Sequence, residues 1–249
     1  MKKIASVFAL SIITSFFSCQ SKAALIDLDW NTINDSALLL DTSTGLQWLD
    51  LSVTANQSYN EVQAQLQQGG TYHGFRYATR DEVLHLWAEA NITDTSFVWV
   101  INGQWQNIKD LADRLGTSTL FDPHGIGTHA LGMVEGESQL PASERRVMEI
   151  SYHSNGEEVR TSSDYYVLDI DFASIHYSSY LVRALADGDL APLGSPDGNI
   201  NAGDILIAVR IGLGTLTPGA LEITHGDMNA DGVINLSDII IITKNVLNQ

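Results

Sequence analysis

Apolar and polar positions alternate in two regimes along the chain. Ala37–Asp41 and Leu46–Leu51 are short apolar runs around the polar turn Thr42-Ser43-Thr44-Gly45, which reads as two strands. Ser58-Tyr59-Asn60-Glu61 has the spacing of a capping box, in which the serine accepts from the third residue's N–H and the glutamate reaches back. It predicts a helix over 59–68, stopped by Gly69-Gly70. Thr79-Arg80-Asp81-Glu82 repeats the device and opens a helix to Ala90, with Val83, Leu86, Trp87 and Ala90 on one face. A third helix is predicted over Ile108–Leu115, strands over 97–101, 129–134, 145–152, 164–170 and 179–184, and a loop from Gly116 to Thr128. The order is not a regular strand–helix alternation, so the expected class is an α+β domain. Beyond Asp187 the pattern changes to loops of Asp, Asn and Gly, each running into an apolar helix, Ile205–Leu213 and Ile239–Leu247. This region reads as a small all-α module.

Composition sharpens that division. All five tryptophans fall within the first 105 residues, and no aromatic residue follows Ala186. The expected organisation is therefore 1–23, 24–186 and 187–249. Lys2 and Lys3 ahead of the apolar stretch Ile4–Phe17, with Ser21-Lys22-Ala23 after it, form a secretory signal cleaved after Ala23. The alternative is a lipoprotein anchored at Cys19, carried by Phe16-Phe17-Ser18-Cys19. Cleavage after Ala23 removes the sole cysteine, so no disulfide staples the secreted, extracellular protein. No later stretch is long and apolar enough to span a membrane.

The chain carries a net charge of −17. Phosphate backbones are bound by clustered Lys and Arg, so this balance argues against nucleic acid. It suits a protein that binds cations. In the last 63 residues acids outnumber bases eight to two, and their spacing is specific. Asp227, Asn229, Asp231, Asn235 and Asp238 occupy positions 1, 3, 5, 9 and 12 of a twelve-residue loop of EF-hand type. Alternate short oxygen-bearing side chains point inward as the loop wraps Ca²⁺. Gly232 at position 6 allows the sharp turn, Val233 at position 7 offers its carbonyl, and Ile234 pins the loop to a core.

An earlier copy supplies Asp197, Gly198, Ile200, Asn201 and Asp204 at positions 5, 6, 8, 9 and 12, with Asn199 at position 7. Asp189 serves as its position 1 if Leu190–Pro196 contains a four-residue insertion. The pairs Gly188-Asp189 and Gly226-Asp227 support that register. The chain therefore holds a loop–helix duplication with two expected Ca²⁺ ions.

This duplication, without the entering helix of an EF-hand, resembles a type I dockerin over 187–249. The resemblance implies a fold around two Ca²⁺ ions and a cohesin-like partner. It also implies the usual association of such modules with polysaccharide-degrading enzymes. Cellulosomal dockerins often carry Ser-Thr before the last ligand, where this chain has Ala202-Gly203 and Leu236-Ser237.

In the first domain, three segments are distinctive: Asp41–Leu51 (DTSTGLQWLDL), Gly74–Val83 (GFRYATRDEV) and Ser179–Arg183 (SYLVR). They resemble a family of exported proteobacterial domains and, more distantly, the C-terminal domain of the Legionella collagen-like adhesin. That implies surface adhesion or binding of a glycan or protein, and no binding residue is carried over. Trp48 and Trp87 read as core, and Arg76 and Arg183 as partners in buried ion pairs. Trp99 and Trp105, with Asn102-Gly103 between them, suggest a hairpin that exposes an aromatic. Catalytic signals are sparse. His124 and His129 flank a glycine-rich loop and offer a zinc site, and Asp164, Asp169 and Asp171 offer carboxylates for glycoside hydrolysis. The residues favour a non-catalytic binding or adhesion protein. The alternative is a polysaccharide-degrading component with a docking tag, and a third reading makes the C-terminal module a stabilising cap.

Overall fold

The computed structural model describes residues 25–32, 34–93, 98–122, 125–194, 196 and 198–248. The expected signal segment 1–23, Cys19, His124 and Asp197 lie outside them.

Among the described residues, two sheets and three α-helices build the N-terminal domain. Strands β1 (Leu25–Leu28), β2 (Leu38–Asp41), β3 (Leu46–Leu49), β4 (Arg76–Tyr77) and β11 (Leu181–Ala184) form one sheet in the order β1-β2-β3-β11-β4, with antiparallel pairs throughout. The second sheet is ordered β10 (Ser178–Ser179), β7 (Gly125–Met133), β8 (Glu144–His153), β9 (Glu158–Asp169), β5 (Val100–Ile101). Strand β6 (Ser118–Asp122) also pairs with β7. Helices α1 (Tyr59–Gln65), α2 (Arg80–Glu89) and α3 (Trp105–Leu115) complete the domain.

Strand periodicity explains the layering. Leu38 and Leu40 belong to one buried cluster and Leu39 to another, and the same split separates Leu49 from Trp48 and Leu181 from Val182. Successive side chains leave opposite faces of a strand, so the first sheet is buried on both sides. In the second sheet, Val147 likewise faces away from Met148 and Ile150. One cluster takes α2 through Val83, Leu86 and Trp87 and α3 through Ile108, Leu111, Ala112 and Leu115. The other takes α1 through Tyr59 and Val62.

Both capping boxes are present. Ser58 accepts from Glu61 N–H at 3.3 Å and Thr79 from Glu82 N–H at 3.2 Å. Helix α1 ends at Gln65, ahead of the glycine pair. Arg76 grips the capping Glu82 through both guanidinium nitrogens, at 2.5 and 2.9 Å, and that bond holds the Glu82 carboxyl down at about 2. Arg76 is half-exposed in this pair, so it is an ion pair at a helix start and not a buried one. Arg183 donates to Gln47 Oε1 at 2.6 Å and lies over the Phe75 ring. The segments 41–51, 74–83 and 179–183 meet in this sheet. β11 lies between β3 and β4, with Val182 opposite both Trp48 and Arg76.

Several expectations are corrected. Residues 118–122 and 125–129 pair as strands where a loop was expected. Trp105 opens α3 and donates to the His153 carbonyl at 2.9 Å, so it does not sit in a hairpin with Trp99. The Trp99 ring meets the edges of His129 and His153 and lies under Arg160.

His129 belongs to a buried polar network that local sequence did not reveal. Its Nδ1 lies 2.8 Å from Glu149 Oε1 and 2.8 Å from Ser151 Oγ, and Arg160 Nε donates to the same Glu149 oxygen at 3.0 Å. Ser151 and Glu149 both address Nδ1, so this is no Ser–His–acid relay, which needs the serine on the other ring nitrogen. Burial pushes the Glu149 carboxyl up. The His129 hydrogen bond, the Arg160 charge and the Ser151 hydroxyl outweigh burial and hold it below the ordinary glutamate value.

A folded-state value below the unfolded one, ~4.3 for glutamate, makes the group stabilising above that unfolded value. The contribution is lost as pH falls through the folded value. Glu149→Gln is therefore expected to lower the unfolding midpoint at pH 7 and to flatten its acid limb below pH ~4. Tryptophan-monitored denaturation from pH 3 to 8 checks this; an unchanged acid limb would refute it.

Candidate calcium centre

After β11 the chain enters a different architecture. Among the described residues it carries no strand. It carries α4 (Ala202–Gly212), α5 (Ala220–Gly226) and α6 (Leu236–Leu247). Leu190, Ala208, Ile211, Ile234 and Ile242 form a small separate core. Helix α5 was not expected, and it leads directly into the second loop.

The second loop folds as its spacing requires. Asp227 accepts from Asp231 N–H at 3.0 Å and Gly232 N–H at 2.6 Å, curling the backbone round the first ligand position. Gly232 has φ +90°, which a side chain would strain. Asp238 is fully buried, with one carboxylate oxygen accepting from Asn229 N–H at 3.3 Å and the other from Asn235 N–H at 2.8 Å. The second of these bonds is also the return bond of the capping box that starts α6. Carboxylate oxygens of Asp227, Asp231 and Asp238 all lie within 4.8 Å of one another. Ca²⁺ holds its oxygens at about 2.3–2.6 Å, so ligands on opposite sides stand up to ~5 Å apart. The three carboxylates therefore fit one coordination sphere. The Asn229 amide, the Val233 N–H and the Asn235 amide hold the Asp231 carboxyl below the usual range, which keeps it anionic. Val233 is itself exposed, with its N–H on Asp231 at 3.1 Å.

The first loop repeats these bonds. Gly198 N–H donates to Asp189 at 2.6 Å, matching Gly232 on Asp227. Asn201 N–H donates to Asp204 at 2.6 Å, matching Asn235 on Asp238. Gly203 N–H donates to Asn201 as Ser237 N–H does to Asn235. Asp189 and Asp204 are fully buried, and Asn199 and Asn201 are exposed. The Asn199 carbonyl accepts from the Asn201 amide at 3.0 Å. These contacts place Asp189 in the first position despite the intervening insertion.

The insertion has a cost that only the structure reveals. Leu190 and Ala191 N–H both donate to Asp204 at 2.7 Å, in the place where Asn229 N–H meets Asp238. Ala191 thus stands where the second loop has Asn229, and it brings no side-chain oxygen. Glu222 was also not singled out from sequence. It is buried, accepting from Gly219 N–H and Gly194 N–H at 2.8 Å each, and so ties α5 to the insertion.

The sequence-based catalytic candidates take other roles. Asp164 pairs with Arg80 at 2.9 Å and Arg146 at 3.3 Å, beside a polar cleft of about 320 Å³ lined by Thr79, Arg80, Glu135 and Glu137. Asp169 accepts from Asp171 N–H, and Asp171 from the Asn60 amide.

Residues 196–247 match the family model of the type I dockerin domain. This supports a C-terminal dockerin domain, a cohesin-interacting module of a family that typically binds calcium and is typically extracellular. The match begins within the insertion, after Asp189, and does not reach the N-terminal domain. No curated protein and no solved structure gives a significant match. No helix among the described residues is long and apolar enough to cross a membrane.

Three anions this close repel one another, and the module's core is small, so chelation is expected to unfold it. Addition of EDTA should remove helical circular dichroism and expose 187–249 to protease. An unchanged spectrum and digestion pattern would refute the dependence.

Proposed function

We propose that residues 187–249 bind two Ca²⁺ ions and present a docking surface for a cohesin-like protein. In this reading the chain is exported through residues 1–23, and residues 24–186 act as a non-catalytic binding or adhesion domain for a protein or glycan. The observation that carries the calcium reading is the repeated set of position 1, 6, 9 and 12 bonds in the two loops, around carboxylates that converge in the second. Asp227, Asn229, Asp231, Asp238 and the Val233 carbonyl would hold the second ion, with Asn235 acting directly or through water. Asp189, Asp197, Asn199, Asn201 and Asp204 would hold the first. The ion supplies the positive charge that lets these carboxylates share one space.

The docking surface is supported by exposed apolar side chains. Leu206 and Leu213 recur one heptad apart on and just after α4, and Leu236, Ile240 and Leu247 follow one stripe of α6. Exposed apolar stripes are suited to association where they join into a patch.

Because Ala191 contributes no oxygen, the first site is expected to be the weaker. Calorimetric titration of the chelated protein should give two ions with separable affinities. Asp238→Ala should abolish the tighter event, and Asp204→Ala the weaker one. At a hundredfold excess over Kd, one ion is expected to stabilise the module by about 2.7 kcal/mol. Absence of binding heat would overturn the calcium reading, and two equal sites would overturn the role assigned to Ala191.

A further inference from the structure

The first loop and helix α5 are held against the N-terminal sheet at several points. Only four residues, Leu185–Gly188, separate β11 from Asp189. The first is already buried, its N–H on the Gly45 carbonyl at 2.8 Å. Gly45 lies so close to α5 that a Cβ there would stand 3.0 Å from His225 Nε2. On the first loop, the Pro196 carbonyl accepts from Gln47 Nε2 at 3.3 Å. A Cβ on Gly198 would stand 2.6 Å from the Arg183 guanidinium, which itself bonds Gln47. On α5, Leu221 packs into the N-terminal cluster that contains Leu28, Leu38 and Leu40. The two repeats are also joined to each other, with Gly188 N–H on the His225 carbonyl at 2.6 Å.

We propose that calcium locks the C-terminal module onto the N-terminal sheet, so that the ion stabilises a domain it does not touch. The proposal rests on the calcium reading above. The segments that contact Gln47, Arg183 and Gly45 are the first loop itself and the short helix that delivers Asp227 to the second loop. Each has little apolar anchorage in the module's own core, which the first loop enters through Leu190. Without the cation, repulsion among the carboxylates opens the loops. Pro196, Gly198, Leu221 and His225 then leave the sheet, uncovering part of its Leu28–Leu38–Leu40 face. By linkage, whatever the ion contributes to the docked form is shared by both domains.

The chain carries its own reporter. Its tryptophans all lie in the N-terminal domain and none in the calcium module. Thermal unfolding of the full-length mature protein is followed by tryptophan fluorescence, in calcium chloride and in EGTA, with calorimetric binding measured in parallel. Calcium is expected to raise the tryptophan-monitored midpoint by about 5 °C. Leu221→Asn, which touches no ligand, should retain binding heat and lose at least half of that rise. Bound calcium with an unmoved tryptophan transition in the unsubstituted protein overturns the lock, and this arm needs no variant. A Leu221→Asn protein that keeps the full rise overturns the docking route. Absence of binding heat instead overturns the underlying calcium reading.

Discussion

The C-terminal module is organised around carboxylates that repel one another. Oxygens of Asp227, Asp231 and Asp238 stand within 4.8 Å, and the fold aims backbone N–H groups at them from several directions. Such donors reduce the repulsion without removing it, because each carries only a partial charge. Asp204 and Asp238 serve two purposes with one group. As the third helical residue each bonds back to the N-cap N–H, and as the last loop position each bonds the start of its own loop. Helix initiation and loop closure therefore share atoms. A cation that fixes these carboxylates fixes the first turns of α4 and α6 as well, and those helices supply Ala208, Ile211 and Ile242 to the core.

Legibility in the sequence followed the range of the interaction. Ligand positions lie within twelve residues of one another, so the second loop could be read from spacing alone. Capping boxes are shorter still: the two expected at Ser58 and Thr79 both form, and the structure adds two more at Asn201 and Asn235. The strand hairpin at 118–129 was hidden because its glycines read as loop. Gly127 is in fact a close-approach position: a Cβ there would stand 2.6 Å from the His129 ring. Helix α5 is one short segment ending in glycine, and its Leu221 packs against a core cluster built by the N-terminal domain. Glu149 meets His129 and Arg160 only because strands β7, β8 and β9 bring them into register. Nothing local marks such a trio.

The two loops are alike in bonding and unlike in ligands, and the insertion explains both. Residues from Leu190 to Pro196 keep the first and last carboxylates where the second loop has them, yet they put at the third position Ala191, which has no side-chain oxygen. The insertion also provides contacts the second loop lacks. Gly194 reaches Glu222 on α5, and Pro196 reaches Gln47 on the sheet. The first loop therefore has attachments that the second lacks, and no side-chain oxygen at its third position.

This arrangement also decides which surface remains free. The N-terminal sheet occupies the α5 side and the flank of the first loop, while Leu206 on α4 and Leu236, Ile240 and Leu247 on α6 stay exposed. A partner seated on that stripe would meet a module already braced from behind. Bracing lowers the conformational entropy such a partner must remove, which favours tighter association for the same contact area. In that case the N-terminal domain would favour association without touching the partner, through the rigidity it would lend to α5 and the first loop.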